Sequence, residues 1–169
     1  DNPFPPGSEP GWDADVTPEG AALQGWAPAE WAVRPFGNFG AFQVAELNAD
    51  AGDPGLFGVQ GGAEVKMPFL SAVWKSSVGY YDFTAVQGRA TATLTNTPAG
   101  NTTTAAGTLR DDFNLVALAS ELTLPEVLGR PVVFFGDWTR NEGAADDDGA
   151  WVTGLRVGKV TEKLGSWRA

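Results

Sequence analysis

Residues 55–67, Gly-Leu-Phe-Gly-Val-Gln-Gly-Gly-Ala-Glu-Val-Lys-Met, carry the clearest pattern in the chain. One set of alternate positions is apolar or small, from Phe57 to Met67, while the other set includes Gln60, Glu64 and Lys66. Because successive side chains of a β-strand point to opposite faces of its sheet, this alternation predicts a strand. One face of that strand meets an apolar phase and the other face meets a polar phase.

Similar alternation, broken by turn residues, recurs along the chain and predicts an all-β, antiparallel protein of about seven strands. The predicted strands cover residues 19–27, 32–46, 55–67, 71–86, 112–122, 130–140 and 149–160, and the tail from Gly165 resembles the start of an eighth. Residues 1–18 hold five prolines and are expected to form a loop or extended arm. The predicted organisation is therefore an arm, 1–18, followed by barrel strands over 19–169.

The predicted connections alternate between shorter and longer segments. Residues 67–71, 122–130 and 161–165 are the compact ones, whereas 86–112 and 141–148 are longer and polar. Up-and-down membrane barrels have this pattern, with short turns at one end and long loops at the other. The spacing favours such a barrel, although a β-sandwich with Greek-key connections produces the same spacing by chance.

The composition excludes several classes of protein. The chain has no Cys and no His, which removes disulfides, thiolate nucleophiles, Ser-His-Asp catalysis and Cys/His zinc sites. There are 21 acidic and 11 basic residues, a net charge of -10, so a nucleic-acid surface is not expected. No enzymatic constellation and no cofactor are predicted. The opening Asp-Asn-Pro-Phe has no signal-peptide pattern, and we expect an exported protein whose signal peptide is absent from this chain.

If the apolar face meets lipid, the alternation assigns roles to individual side chains. Four aromatic residues are then expected at the membrane interfaces: Trp74, Tyr80, Trp138 and Trp151. Six polar residues are expected to face the lumen: Gln60, Glu64, Lys66, Lys75, Asp137 and Arg156. Glycines on the same face are expected to leave room in the interior: Gly58, Gly62, Gly79, Gly154 and Gly158. A soluble sheet with an apolar core face and a solvated polar face fits the alternation equally well.

Other candidate sites are weaker. The run Asp146-Asp147-Asp148 is a weak candidate for a calcium-binding site. It lacks the spacing of an EF-hand loop and is more typical of a solvated loop. Glu64 is expected to pair with a cation such as Lys66 rather than to act as an acid catalyst. A secreted carbohydrate-binding sandwich remains an alternative, with Trp12, Trp26 and Trp31 stacking on sugar rings. A third alternative is a structural barrel subunit that contacts other subunits through residues 86–112.

Several short motifs resemble, in order, those of the bacterial outer-membrane family known as "putative porin". They are 2–4, 12–15, 18–23, 40–42, 56–62, 79–83, 112–115, 129–138, 141 and 154–159, and the fullest of them is Gly-Arg-Pro-Val-Val-Phe-Phe-Gly-Asp-Trp at 129–138. The resemblance implies a transmembrane β-barrel of the outer membrane that lets small solutes diffuse. Its expected partners are outer-membrane lipid, small solutes, and further copies or other membrane subunits. Family members are longer, so this chain is expected to be incomplete on its C-terminal side, with native sequence continuing past Ala169.

Overall fold

The structure, a computed structural model, describes residues 19–46, 52–90, 101–146 and 148–158. These residues form one seven-stranded sheet in the order β1-β2-β3-β4-β5-β6-β7, in which every neighbouring pair is antiparallel. The strands are β1 (Glu19–Trp26), β2 (Val33–Gln43), β3 (Gly55–Met67), β4 (Ala72–Thr84), β5 (Phe113–Val127), β6 (Arg130–Asn141) and β7 (Gly149–Val157). A single 3-10 turn, Pro68–Leu70, joins β3 to β4. The prediction of an all-β, up-and-down antiparallel fold is confirmed.

The connections alternate in length as expected. Residues 27–32, 68–71 and 128–129 join strands at one end of the sheet, which we call the short end. Residues 44–54, 85–112 and 142–148 join strands at the opposite, long end. Within the described residues β1 and β7 do not pair, so the sheet is open, as in part of a barrel. The predicted arm, residues 1–18, and the predicted eighth strand lie outside the described residues.

The sheet is inverted relative to that of a soluble protein, because one face carries buried polar side chains and the other face carries exposed apolar ones. Neighbouring residues on one strand make the contrast plain: Gln60 is 3% exposed and Val59 is 53% exposed. The polar face carries the buried side chains Asn38, Gln60, Ser77, Asp137 and Thr139. The apolar face carries exposed side chains including Phe39, Val59, Val78, Leu118, Phe134 and Leu155. Within the described residues no second sheet covers either face, so the sandwich expected in the soluble alternative is not what this part of the chain forms.

Strand β5 is longer than the sequence predicted. It was expected to end near Leu122, but it continues through Pro125 to Val127. The pairing register shifts between Leu124 and Val127, and this irregularity accommodates the proline, which cannot donate a ladder hydrogen bond. The β5–β6 connection is consequently a two-residue hairpin turn, Leu128-Gly129, rather than a loop.

The turn residue Leu128 has a backbone conformation, with positive φ, that leucine rarely adopts. Leu128 and Gly129 both have positive φ, 52° and 76°, as a type I′ hairpin turn requires. The Leu128 side chain is fully exposed and contributes no packing. Asparagine tolerates this conformation far better, so Leu128→Asn is expected to stabilise the protein by about 0.5–1 kcal/mol. Denaturant unfolding in lipid vesicles measures the gain.

The matched control for this change is Leu70→Asn, at another exposed leucine of a short-end connection. Leu70 is not among the residues with positive φ, so its replacement is expected to leave stability unchanged within about 0.5 kcal/mol. An equal gain from both substitutions would show that removing an exposed leucine, and not turn geometry, is responsible.

Candidate functional site: the polar face of the sheet

The polar face is layered from one end of the sheet to the other. At the long end Leu56, Tyr81 and Leu115 form an apolar cluster, with Phe42, Val44, Phe83 and Phe113 packed against it. Pro54, Val86 and Leu109, from the long connections, are fully buried. The described parts of these connections therefore contribute buried apolar side chains at this end of the sheet.

The middle layer is polar, and it holds one acid, Asp137, among neutral side chains. Asn38 donates a hydrogen bond to Gln60 Oε1 over 2.7 Å, and Gln60 Nε2 donates to Ser77 Oγ over 3.2 Å. These bonds link β2, β3 and β4 across the face. They satisfy groups that would be costly to bury unpaired.

The charged layer lies toward the short end and forms a row whose residues come from five strands, β2, β3, β4, β5 and β7. Arg34 is directly opposite Glu64, Glu64 is opposite Lys75, and Lys75 is opposite Glu121. Arg156, from β7, forms a hydrogen-bonded ion pair with Glu121. We call these five residues the charge row: Arg34, Glu64, Lys75, Glu121 and Arg156.

Aromatic rings hold the cations of the charge row. Trp26 stacks on Phe36 with ring centroids 4.4 Å apart, and the Arg34 guanidinium lies 4.6 Å from the Trp26 centroid. The Lys75 ammonium lies 4.7 Å from the Trp26 centroid and 5.2 Å from that of Phe36. The Arg156 guanidinium lies 4.8 Å from the Phe135 centroid. Each contact is within the range of a cation–π interaction, so an aromatic ring contacts each of the three cations.

The residues predicted to face the lumen share this one face of the sheet. Gln60 and Asp137 lie in its buried middle, while Glu64, Lys75 and Arg156 lie in the charge row. Lys66 extends beyond the row and donates a hydrogen bond to the Ala29 carbonyl oxygen. The cations directly opposite Glu64 on the flanking strands are Arg34 and Lys75, so the same-face pairing expected for Glu64 has these two candidates besides Lys66.

Sequence reasoning missed part of the charge row and its aromatic support: Arg34, Glu121, Phe36 and Phe135. It also expected Trp26 to be exposed for sugar stacking, whereas Trp26 stacks on Phe36. Trp31 lies on the short connection 27–32 and Trp12 is outside the described residues. The described residues therefore bring no three-tryptophan platform together.

The glycines of the polar face were expected to leave room in the interior, but at three of them other side chains fill that room. A Cβ at Gly154 would lie 2.3 Å from Cζ of Phe135, and one at Gly79 would lie 2.6 Å from the Tyr81 hydroxyl oxygen. A Cβ at Gly62 would lie 2.5 Å from Cζ of Phe36. Aromatic rings thus occupy the space above these three glycines. The polar face is more filled than its glycine content suggested.

The four predicted interface aromatics are all exposed on the apolar face. Trp74 is near the short-end start of β4, whereas Tyr80, Trp138 and Trp151 lie toward the long end of their strands. Their polar atoms find partners within the sheet in two cases. The Trp74 indole donates to Ser120 Oγ over 2.9 Å, and the Tyr80 hydroxyl donates to Asn114 Oδ1 over 3.2 Å.

The acidic loop that was a faint calcium candidate uses its carboxylates differently. Asp146 contacts the Arg110 guanidinium, and Asp148 Oδ2 accepts a 2.8 Å hydrogen bond from Arg140 Nε. Hydrogen bonds to Asp111 and Asp146 raise the pKa of Arg110 further above its usual value. Asp147 is outside the described residues. No cluster of three metal-ligating side chains occurs among the residues that the structure describes.

A family described as "Putative porin" matches residues 1–125 of the chain. The chain belongs to this family. Membership supports a porin-like role in the outer membrane. The match ends within β5, so the resemblance noted over 129–138 and 154–159 lies beyond it. No curated protein and no solved structure matches the chain. Among the described residues, no helix has the length and hydropathy needed to cross a membrane.

Proposed function

We propose that this porin-family chain forms part of the wall of an outer-membrane barrel through which small solutes and ions diffuse passively. The observation that carries the proposal is the inverted sheet, with buried polar side chains on one face and exposed apolar ones on the other. A lipid-facing exterior and a wet, polar interior require this arrangement. In water the same exposed apolar face would be an aggregation liability.

Strand length supports a membrane-spanning sheet. Strands β3 and β4 have 13 residues each. At about 3.3 Å per residue and a tilt of about 45°, such a strand rises about 30 Å, the thickness of the hydrocarbon core. Ser76, which shares the apolar face with Trp74, donates its hydroxyl to the Ala119 carbonyl oxygen over 3.1 Å and so leaves no bare donor toward lipid.

In this proposal the outer edges of β1 and β7 pair with further strands. Within the described residues neither edge has a ladder partner, and unpaired backbone groups are costly in lipid. We propose that strands outside β1–β7 complete the wall, supplied by other residues of the same protein or by another subunit. Lipid and a second membrane subunit are therefore the partners that the proposal includes.

Charge is distributed unevenly between the two ends of the sheet. Among the described residues, the long end holds nine acids (Glu19, Glu46, Asp53, Asp82, Asp111, Asp112, Glu142, Asp146 and Asp148) and three bases (Arg89, Arg110 and Arg140). The short end holds four acids (Glu30, Glu64, Glu121 and Glu126) and five bases (Arg34, Lys66, Lys75, Arg130 and Arg156). An acidic mouth raises the local concentration of cations, so the proposed pore favours cations over anions.

The test is a reversal-potential measurement in planar bilayers under a KCl gradient. The wild-type protein is expected to favour K⁺ over Cl⁻. Replacing the exposed long-end acids Glu19, Glu46 and Asp53 with their amides is expected to lower the K⁺/Cl⁻ permeability ratio by about twofold, and less at high salt.

The control replaces exposed short-end acids, Glu30→Gln with Glu126→Gln, and is expected to change selectivity less. Absence of any conductance from correctly inserted protein would refute diffusion through this chain. It would favour the alternative of a structural barrel subunit. An equal effect of both sets of amides would refute the long-end mouth as the source of selectivity.

A further inference from the structure

We infer that the charge row makes the proposed pore selective for small zwitterions, solutes that carry an ammonium and a carboxylate a few bonds apart. This inference rests on the proposed diffusion function and adds a substrate class to it. Its starting point is the alternation of sign across the row: Arg34, Glu64, Lys75, Glu121 and Arg156. Every acid in the row has a cation on each side.

The spacing of the row suits a solute with two opposite charges. Directly opposite residues in an antiparallel pair have Cβ atoms about 5 Å apart, so charges of opposite sign are neighbours from Arg34 to Glu121. Arg156 continues the alternation from β7 through its ion pair with Glu121 across β6. The row runs across the strands, so in the proposed pore a solute that moves along this face crosses it. A small zwitterion can place its ammonium beside an acid and its carboxylate beside the next cation at the same time.

A simple ion gains much less from the same row. A cation that approaches Glu64 also approaches Arg34 and Lys75, because both are directly opposite Glu64. Attraction to the acid is then offset by repulsion from two cations at similar distance. An anion at Lys75 meets Glu64 and Glu121 in the same way. The charge row therefore distinguishes solutes by the pattern of charge that they carry, whereas the acidic long end distinguishes solutes by their net charge.

The aromatic contacts keep the pattern fixed. Lys75 is held over Trp26 and Phe36, and Arg156 is held over Phe135. Arg34 is anchored further by a 2.8 Å hydrogen bond from its Nε to the Ala27 carbonyl oxygen. Because the cations are held in place, a passing solute does not have to order them, and less of the interaction is lost to entropy.

The experiment compares β-alanine with glycerol, an uncharged solute of similar size, in a swelling assay on liposomes that contain the full chain. Wild-type protein is expected to pass β-alanine about threefold faster than glycerol, the size of one partly screened ion pair. The decisive variant is the swap Glu64→Lys with Lys75→Glu. It keeps the net charge and composition but places like charges side by side, and it is expected to reduce the ratio to about one.

A milder variant keeps the inference falsifiable if the swap does not fold. Glu64→Gln with Lys75→Gln also preserves net charge and is expected to lower the β-alanine/glycerol ratio by about twofold. The control, Arg140→Gln with Glu142→Gln, removes the ion pairs of Arg140 with Glu142 and Asp148 at the long end and is expected to retain the wild-type ratio. Both charge-row variants are expected to keep the wild-type KCl reversal potential, because net charge is unchanged.

The outcomes separate this inference from the function on which it rests. A wild-type ratio near one, with both solutes passing, overturns zwitterion selectivity and leaves the diffusion pore intact. Failure of both solutes to pass overturns the pore and the inference together. A β-alanine/glycerol ratio that falls in the long-end control as well as in the charge-row variants also overturns the inference, because the charge row would then not be the source of the selectivity.

Discussion

Leu118→Arg is expected to lower the free energy of unfolding in lipid vesicles by about 2 kcal/mol, the cost of an arginine on the lipid face between the bilayer centre and the interface. Leu118 is on the apolar face of β5 and is 48% exposed, with Val78 and Trp138 directly opposite on the flanking strands. The arginine would have to lose its hydration or distort the bilayer. Reversible denaturant unfolding of the reconstituted protein measures the cost.

The same substitution tests the orientation of the sheet, because the soluble interpretation predicts a different result. If the apolar face met water, exchanging an exposed leucine for arginine would change stability by less than about 0.5 kcal/mol. Thr102→Arg is the matched control, since Thr102 is exposed on the long connection 85–112. It is expected to be neutral. Equal stability of both variants would contradict a lipid-facing sheet.

Alternation along single strands was sufficient to predict most of the fold. The seven strands lie where the period-two pattern placed them, and the connections alternate between short and long. The far end of β5 was missed because Pro125 ordinarily ends a strand, and only the register shift between Leu124 and Val127 makes it tolerable. The turn at Leu128 was missed because leucine is rare at positive φ.

The charge row could not be predicted in the same way, because it depends on register between strands. Which face Glu64 and Lys75 occupy follows from their own strands, whereas their direct opposition follows from the turn 68–71 that joins β3 to β4. Arg34 stands next to Pro35, and Glu121 lies in a stretch rich in leucine, so neither sequence context suggested a polar site. Residues that are far apart in the sequence can be identified as neighbours in the sheet only when the register between the strands is known.

Gly62 is the position where a very small change is expected to have a large effect. A Cβ there would lie 2.3 Å from the Ser76 carbonyl oxygen and 2.5 Å from Cζ of Phe36. Backbone cannot yield as a flexible side chain can, so Gly62→Ala forces either β4 or the Phe36 ring to move. We expect a loss of about 2 kcal/mol in the free energy of unfolding, typical of overpacking. Denaturant unfolding in vesicles measures it.

Gly61 is the adjacent control, because a Cβ at that position meets no atom within 4 Å. Gly61→Ala is expected to be neutral or slightly stabilising, since alanine reduces the entropy of the unfolded chain. Phe36→Leu in the Gly62→Ala background separates the two clashes: it removes the ring contact but leaves Ser76 in place, so partial recovery is expected. Equal losses at Gly61 and Gly62 would contradict the packing of Phe36 over Gly62, and with it the geometry that brings Phe36 and Trp26 against the cations of the charge row.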